Sequence, residues 1–275
     1  MALDLDGTLL DQDGRLTPVT AAVLRRLAAG GLRILLASGR MTARVMPFAE
    51  SLAIPLGLVT YNGAVTLDGG PSAWTQVTTR GIDPAARDAV FELCRDRGVF
   101  LNVYADGRLF GYHPSGDFRW SSHYEENSGA TYAIKSARLE DLPRTGLEKL
   151  LVMADPEGRN RLFTEWHPLL SGQCDLTKSN PEYLEFLGKG VSKGAALEAW
   201  LERNGIGPAG LLAFGDAEND LEMLTLAGLG YAMVNATPGL RASFSRFSRW
   251  SHSEDGVARE LCSLYGLEYG SFALD

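Results

Sequence analysis

Apolar and polar positions alternate between two periodicities over the first sixty residues. Thr17-Pro18 supplies an N-cap and a proline at the first helical position, Val19 to Ala29 stays helix-compatible, and Gly30-Gly31 closes the segment. Leu32 to Ala37 is a short apolar run of the kind that fills a buried parallel strand. Met41 to Leu52 reads as a second helix, weakened by Pro47, and Leu58-Val59-Thr60 as a further strand. Strand-helix-strand alternation predicts a doubly wound parallel sheet, an α/β fold.

The texture changes near residue 64. Val65-Thr66-Leu67 and Trp74 to Thr79 flank Asp68-Gly69-Gly70, and Val99 to Tyr104 and Arg108 to Tyr112 flank Ala-Asp-Gly; both read as hairpins. Asp83-Pro84 opens a helix to about Arg97. Leu147 to Ala154 reads as a strand, Glu157 to Leu169 as a helix, and Gln173 to Thr177 with Tyr183 to Leu187 as a strand pair. These predict a separate α+β unit over 82–187, inserted in a core formed by 1–81 and 188–275. The alternating pattern resumes at Val191. It places helices from Ser192 to Arg203, Leu221 to Ala227 and Asp255 to Leu264, and strands at Leu211–Phe214 and Gly230–Met233. The tail after Gly266 has no periodicity and is expected to be loose.

Composition narrows the function. Net charge is −8 and no Lys/Arg-rich run occurs, which excludes a nucleic-acid role. Three widely spaced cysteines without a C-x-x-C pair, and four histidines without zinc-site spacing, predict reduced thiols and no zinc centre. No run spans a bilayer and no leader precedes the first motif, so a soluble cytoplasmic protein is expected.

Four clusters carry the candidate chemistry. Asp4-Leu5-Asp6-Gly7-Thr8 puts two carboxylates two positions apart; in a strand they point the same way, and like charges that close call for a shared proton or a cation, of which Mg²⁺ is the ordinary choice for hard oxygen ligands. Ser38-Gly39-Arg40 follows a strand, Ser192-Lys193-Gly194 opens a helix, and Asp216-Ala217-Glu218-Asn219-Asp220 follows another strand. Ligands of open α/β sheets bind beyond the carboxyl ends of the strands, so the sheet gathers all four clusters at one edge. Gly188-Lys189-Gly190 with Gly194 lacks the spacing of a nucleotide-binding loop.

In their order, DLDGTLL, ASGR, GVSKGAAL and GDAENDLEML resemble the motifs of the haloacid-dehalogenase superfamily, and more narrowly the Cof-type phosphatases, which insert a large cap between their second and third motifs. The resemblance covers nearly the whole chain. It implies a phosphatase acting on small-molecule phosphate esters, such as sugar phosphates or nucleotide-like cofactors, as a monomer or weak homodimer. Asp4 would be the nucleophile and Asp6 the acid/base. Mg²⁺ would be held by Asp4, the backbone carbonyl of Asp6, and Asp216, with Asp220 supporting. Ser38, with Gly39, and Lys193 would hold phosphoryl oxygens; Asn219 and Asn62 match positions near the phosphate and the substrate. The cap would set specificity, with Tyr112, His113, Trp120 and Tyr183 as candidates, although core packing accounts for most of them. A phosphomutase using the same aspartates and a non-catalytic sensor of phosphorylated ligands are the competing readings. The chain departs from the family in one respect: only Met1-Ala2-Leu3 precede Asp4, short for a central strand. Either the native start lies upstream or the strand is truncated.

Overall fold

The computed structural model describes residues 1–70 and 72–272. Along the chain, β1 (Ala2–Leu3), α1 (Pro18–Ala29), β2 (Leu35–Ala37), α2 (Thr42–Leu52), β3 (Leu56–Thr60), β4 (Val65–Gly70) and β5 (Ala73–Thr79) come first. There follow α3 (Pro84–Arg97), β6 (Phe100–Ala105), β7 (Arg108–Tyr112), α4 (Arg119–Ser128), β8 (Tyr132–Ser136), β9 (Leu147–Met153), α5 (Pro156–Leu170), β10 (Cys174–Lys178) and β11 (Tyr183–Gly188). The chain ends with α6 (Lys193–Arg203), β12 (Leu212–Gly215), α7 (Leu221–Leu226), β13 (Leu229–Ala232), α8 (Pro238–Ser243) and α9 (Gly256–Tyr265). It divides into two compact units, Met1–Thr78 with Ser192–Asp275, and Thr79–Val191.

The first unit is built on a seven-stranded sheet of order β13-β12-β1-β2-β3-β4-β5. Strands β13, β12, β1, β2 and β3 run parallel, and β4 returns antiparallel to β3. Ala2, Leu35, Ala37, Val59 and Ala213 are fully buried and pack with Leu197, Trp200 and Met223. These strands therefore read as apolar runs, because helices cover the sheet. The short β1 holds its central place because the ladder runs past both its ends. Leu35 donates to the Met1 carbonyl at 2.9 Å, and the Asp4 amide donates to the Phe214 carbonyl at 3.1 Å. Helix starts follow local chemistry: Thr17 accepts from the Thr20 amide, and Ser192 from the Ala195 amide.

The second unit carries a six-stranded sheet of order β10-β11-β9-β6-β7-β8. Its pairings are antiparallel except β7 with β8, which α4 connects as a crossover. Leu101, Val103, Leu150, Val152 and Phe186 face α3 and α5, with Phe91 and Trp166 in the same core. Alternate positions carry Asn102, Tyr104, Lys149 and Glu185 on the opposite face. There Lys149 Nζ lies 3.2 Å from Glu185 and 4.9 Å from the Tyr104 ring centroid, and Tyr104 donates to Tyr124 of α4 at 2.6 Å.

Several expectations need correcting. Helix α4 and strand β8 have no sequence signal, since α4 buries only Ser121 and β8 has no buried residue. The expected loose tail is pinned as far as Phe272: Tyr269–Phe272 forms a 3-10 turn, and the Tyr269 hydroxyl donates to Asp255 at 2.6 Å. Residues 273–275 of that tail, and Pro71 beside the first hairpin, lie outside the described residues. Tyr112 is 1% exposed within the core of the second unit, where it packs rather than contacts a ligand. No helix among the described residues is long and apolar enough to cross a membrane.

Candidate active site

Parallel strands bring their carboxyl ends to one edge of the sheet. Asp4 follows β1, Ser38 follows β2, Tyr61 follows β3 and Asp216 follows β12. Lys193 is the first residue of α6 and is 1% exposed.

Lys193 is the hub. Its Nζ donates to Asp4 Oδ1 at 2.6 Å and to Asp220 Oδ1 at 2.7 Å. The second oxygen of Asp220 accepts from the backbone amides of Asp216 (3.0 Å) and Ala217 (3.1 Å). That carboxylate, fully buried, thus ties the Asp216 loop to Lys193 with both oxygens engaged. Asp4, Asp216 and Asp220 each present an oxygen within 4.8 Å of the others. Segments separated by more than two hundred residues therefore meet.

Charge and burial shift these groups strongly. Burial is the first cause raising the Asp4 carboxyl well above its ordinary value; Lys193 opposes it, and Asp220, Asp216 and Asp6 add to the rise. Asp216 is pushed up to about 7, by burial first and then by Asp220, again against Lys193. Burial alone would lower the Lys193 ammonium, but Asp220 and Asp4 outweigh it and hold it above the ordinary lysine value. Carboxylates crowded this way are short of positive charge, and their hard oxygens suit a small divalent cation. Gly7 keeps that side open: at φ +71° it has no side chain, and a Cβ there would stand 2.3 Å from Asp216 Oδ2.

Asp6 lies outside this cluster. β1 stops at Leu3, and Leu5–Leu9 forms a wide turn, so the strand geometry expected to aim Asp4 and Asp6 together does not extend to Asp6. Its carboxylate turns to Arg40, which forks it: Nε donates to Oδ2 at 2.7 Å and Nη2 to Oδ1. The remaining expected residues form a second group. Ser38 is buried, and its Oγ accepts from the Arg40 amide at 3.1 Å. Asn219 Nδ2 donates to Asn62 Oδ1 at 2.9 Å. Gly39 has to lack a side chain, since a Cβ there would lie 2.9 Å from Asn62 Oδ1. Tyr61 and Asn62 both hold positive φ, 50° and 55°, a costly conformation that fixes the amide of Asn62 in this group.

Three residues of the site escaped the sequence reading. Thr8 donates to Asp216 Oδ1 at 3.4 Å, Asn235 Nδ2 donates to the Gly7 carbonyl at 2.8 Å, and Arg40 forks Asp6. Asn235 lies just beyond the carboxyl end of β13, so the strand-end rule applied to Asp4 and Asp216 also points to it.

The haloacid dehalogenase-like hydrolase family matches residues 1–261. The chain belongs to that family. Within it the motif order is of the Cof type. The chain is 33% identical over 261 residues to the HMP-PP phosphatase of Cronobacter sakazakii, covering 94% of this chain and 93% of that protein. Among solved structures, it resembles a haloacid dehalogenase-like hydrolase from Bacteroides thetaiotaomicron at 25% identity and a TM-score of 0.81, over 96% and 98% of the two chains. A Thermotoga maritima protein aligns at 27% identity and a TM-score of 0.81, over 94% and 95%. This haloacid dehalogenase-like hydrolase is an enzyme of the phosphatase type.

Proposed function

We propose that the protein hydrolyses small phosphomonoesters through an aspartyl-phosphate on Asp4, with Mg²⁺ held by Asp4, Asp216 and the Asp6 carbonyl and with Asp220 as their buttress. The observation that carries this is the bond from buried Lys193 to the buried carboxylates of Asp4 and Asp220, beside a third, half-buried carboxylate, Asp216. The bound ion would screen the repulsion between Asp4 and a phosphate dianion and offset charge on the phosphoryl oxygens.

The chain's own residues then act in sequence. Ser38, with Gly39, Lys193, Asn219 and Asn62 bind and orient the phosphoryl oxygens. A carboxylate oxygen of Asp4 bonds to phosphorus as the ester P–O bond breaks, and Asp6 gives its proton to the leaving oxygen. Water then bonds to phosphorus and yields a proton to Asp6. The P–O bond to Asp4 breaks, restoring the carboxylate and releasing inorganic phosphate. Lys193 stays protonated throughout and holds Asp4 at its attacking angle, so its charge is in place before the transition state forms. The unit 79–191 acts as the cap that selects the leaving group.

The test is phosphate release from a panel of esters in Mg²⁺, headed by HMP-PP because a 33%-identical relative bears that name. Wild type should turn over, EDTA should stop it, and Asp4→Asn should be inactive while folded. A folded wild type that releases no phosphate from any ester, or an Asp4→Asn enzyme as fast as wild type, refutes the reading.

A further inference from the structure

We infer that Arg40 is a positioning residue for the acid/base step: its guanidinium fixes the Asp6 carboxylate in the orientation from which a proton reaches the leaving oxygen. The inference rests on the function proposed above and adds a residue to it.

Three observations carry it. First, among the described residues it is Arg40 whose side chain bonds the Asp6 carboxylate. Asp6 lies outside the Lys193 cluster, on the turn that β1 leaves behind, and its side chain is 57% exposed. A short side chain on an exposed turn samples several rotamers, and an acid that wanders loses the near-attack geometry that makes proton transfer fast. Second, Arg40 is itself held. Its amide donates to Ser38 Oγ at 3.1 Å, its carbonyl accepts from the Tyr61 amide at 2.9 Å, and its guanidinium lies 5.5 Å from the Phe48 ring centroid. Backbone and ring together fix where the fork points. Third, the contact is two-pronged, one nitrogen to each carboxylate oxygen. Such a pair sets the plane of the carboxylate as well as its place. Each oxygen gives one lone pair to the fork and keeps another for a proton, whereas an arginine cannot trade protons at all. With Asp6 more than half exposed the contact adds at most about 1 kcal/mol to stability, so its worth lies in orientation.

Three variants test this on an alkyl phosphate with a poor leaving group: Arg40→Met, Asp6→Asn and the double variant. Arg40→Met keeps the stem and should melt with wild type. Its kcat should fall about 100-fold with KM nearly unchanged, because loss of general acid–base catalysis costs roughly 10²–10⁴-fold. The double variant should be no slower than Asp6→Asn, since both substitutions remove one function. With p-nitrophenyl phosphate, whose phenolate leaves without a proton, Arg40→Met should give a rapid burst of one equivalent and then a slow phase, as Asp6 fails to activate water. A large rise in KM, or losses that multiply in the double variant, would mean that Arg40 touches the phosphoryl group directly and would overturn the inference. So would an Arg40→Met enzyme as fast as wild type, which leaves the phosphatase reading standing. An inactive wild type sinks that reading instead.

Discussion

Asp220 contacts no substrate in the proposed scheme, yet its conservative replacement by asparagine should be costly. In the folded protein Oδ1 accepts from Lys193 at 2.7 Å, and Oδ2 accepts from two backbone amides at 3.0 and 3.1 Å. Asparagine has one oxygen. If that oxygen faces the amides, its NH₂ group confronts the ammonium; if the amide is flipped, the NH₂ confronts two N–H donors. Either way a charge-assisted bond, worth about 1.5–3 kcal/mol, becomes a donor–donor contact. Removing one member of a buried ion pair costs about 3–5 kcal/mol, but here Lys193 keeps Asp4, so about 3 kcal/mol is the working figure. At roughly 2–4 °C per kcal/mol for a chain of this size, the melting temperature should drop by about 6–12 °C. The deficit should be smaller at pH 8 than at pH 6, because losing one carboxylate relieves Asp216 only where Asp216 is ionised, and it titrates at about 7. The assay is thermal melting in EDTA at both pH values. A variant within about 2 °C of wild type at pH 6, no more than the shift that one kcal/mol brings, would refute the buttress argument.

Two further outcomes follow from the same cluster. Gly7→Ala must place a Cβ 2.3 Å from Asp216 Oδ2 on a backbone at φ +71°, so the Asp216 carboxylate has to move; the Mg²⁺ concentration for half-maximal activity should rise more than about tenfold, against a left-handed-backbone cost of only about 1–2 kcal/mol in the melt. A pH titration of melting without metal gives the last. A carboxyl whose folded value is raised favours the folded protein while protonated. The Asp216 contribution is therefore full below about pH 4 and is lost as pH rises through about 7. Metal-free protein should melt lower at pH 8 than at pH 5.5, while the Mg²⁺-induced increase in melting temperature should be larger at pH 8, where no proton competes. Equal Mg²⁺ shifts at the two pH values would contradict the raised value for Asp216.

The architecture was legible wherever the chain buries an apolar face. Leu35-Leu36-Ala37 and Leu212-Ala213-Phe214 could only be buried parallel strands, and Thr17-Pro18 announced α1 by its capping chemistry. The same Thr-Pro signal at Thr237-Pro238 opens α8, six residues too short to show a period. Helix α4, polar on nearly every side, has no stripe to read; aromatic contacts such as Tyr124 on Tyr183, 59 positions away, place it. The site followed the same logic. Asp4, Asp216 and Lys193 were legible because strand ends and helix starts converge by topology alone. The direction of the Asp6 side chain was not, since it depends on where a two-residue strand stops and on an arginine 34 positions away.

The charges of the site add a final constraint. Asp4, Asp6, Asp216 and Asp220 face two cations, Lys193 and Arg40, and both cations are already committed: Lys193 to two carboxylates, Arg40 to one. A phosphate dianion approaching this edge therefore meets four carboxylates against two cations, in a protein of net charge −8. The raised Asp4 and Asp216 carboxyls, pushed up by burial first and then by their neighbouring carboxylates, report the same crowding. A divalent cation would relieve both, by favouring the ionised carboxylates and by presenting positive charge to the substrate. Substrate binding as well as turnover should then depend on Mg²⁺, which separates this site from one in which an ion merely braces a loop.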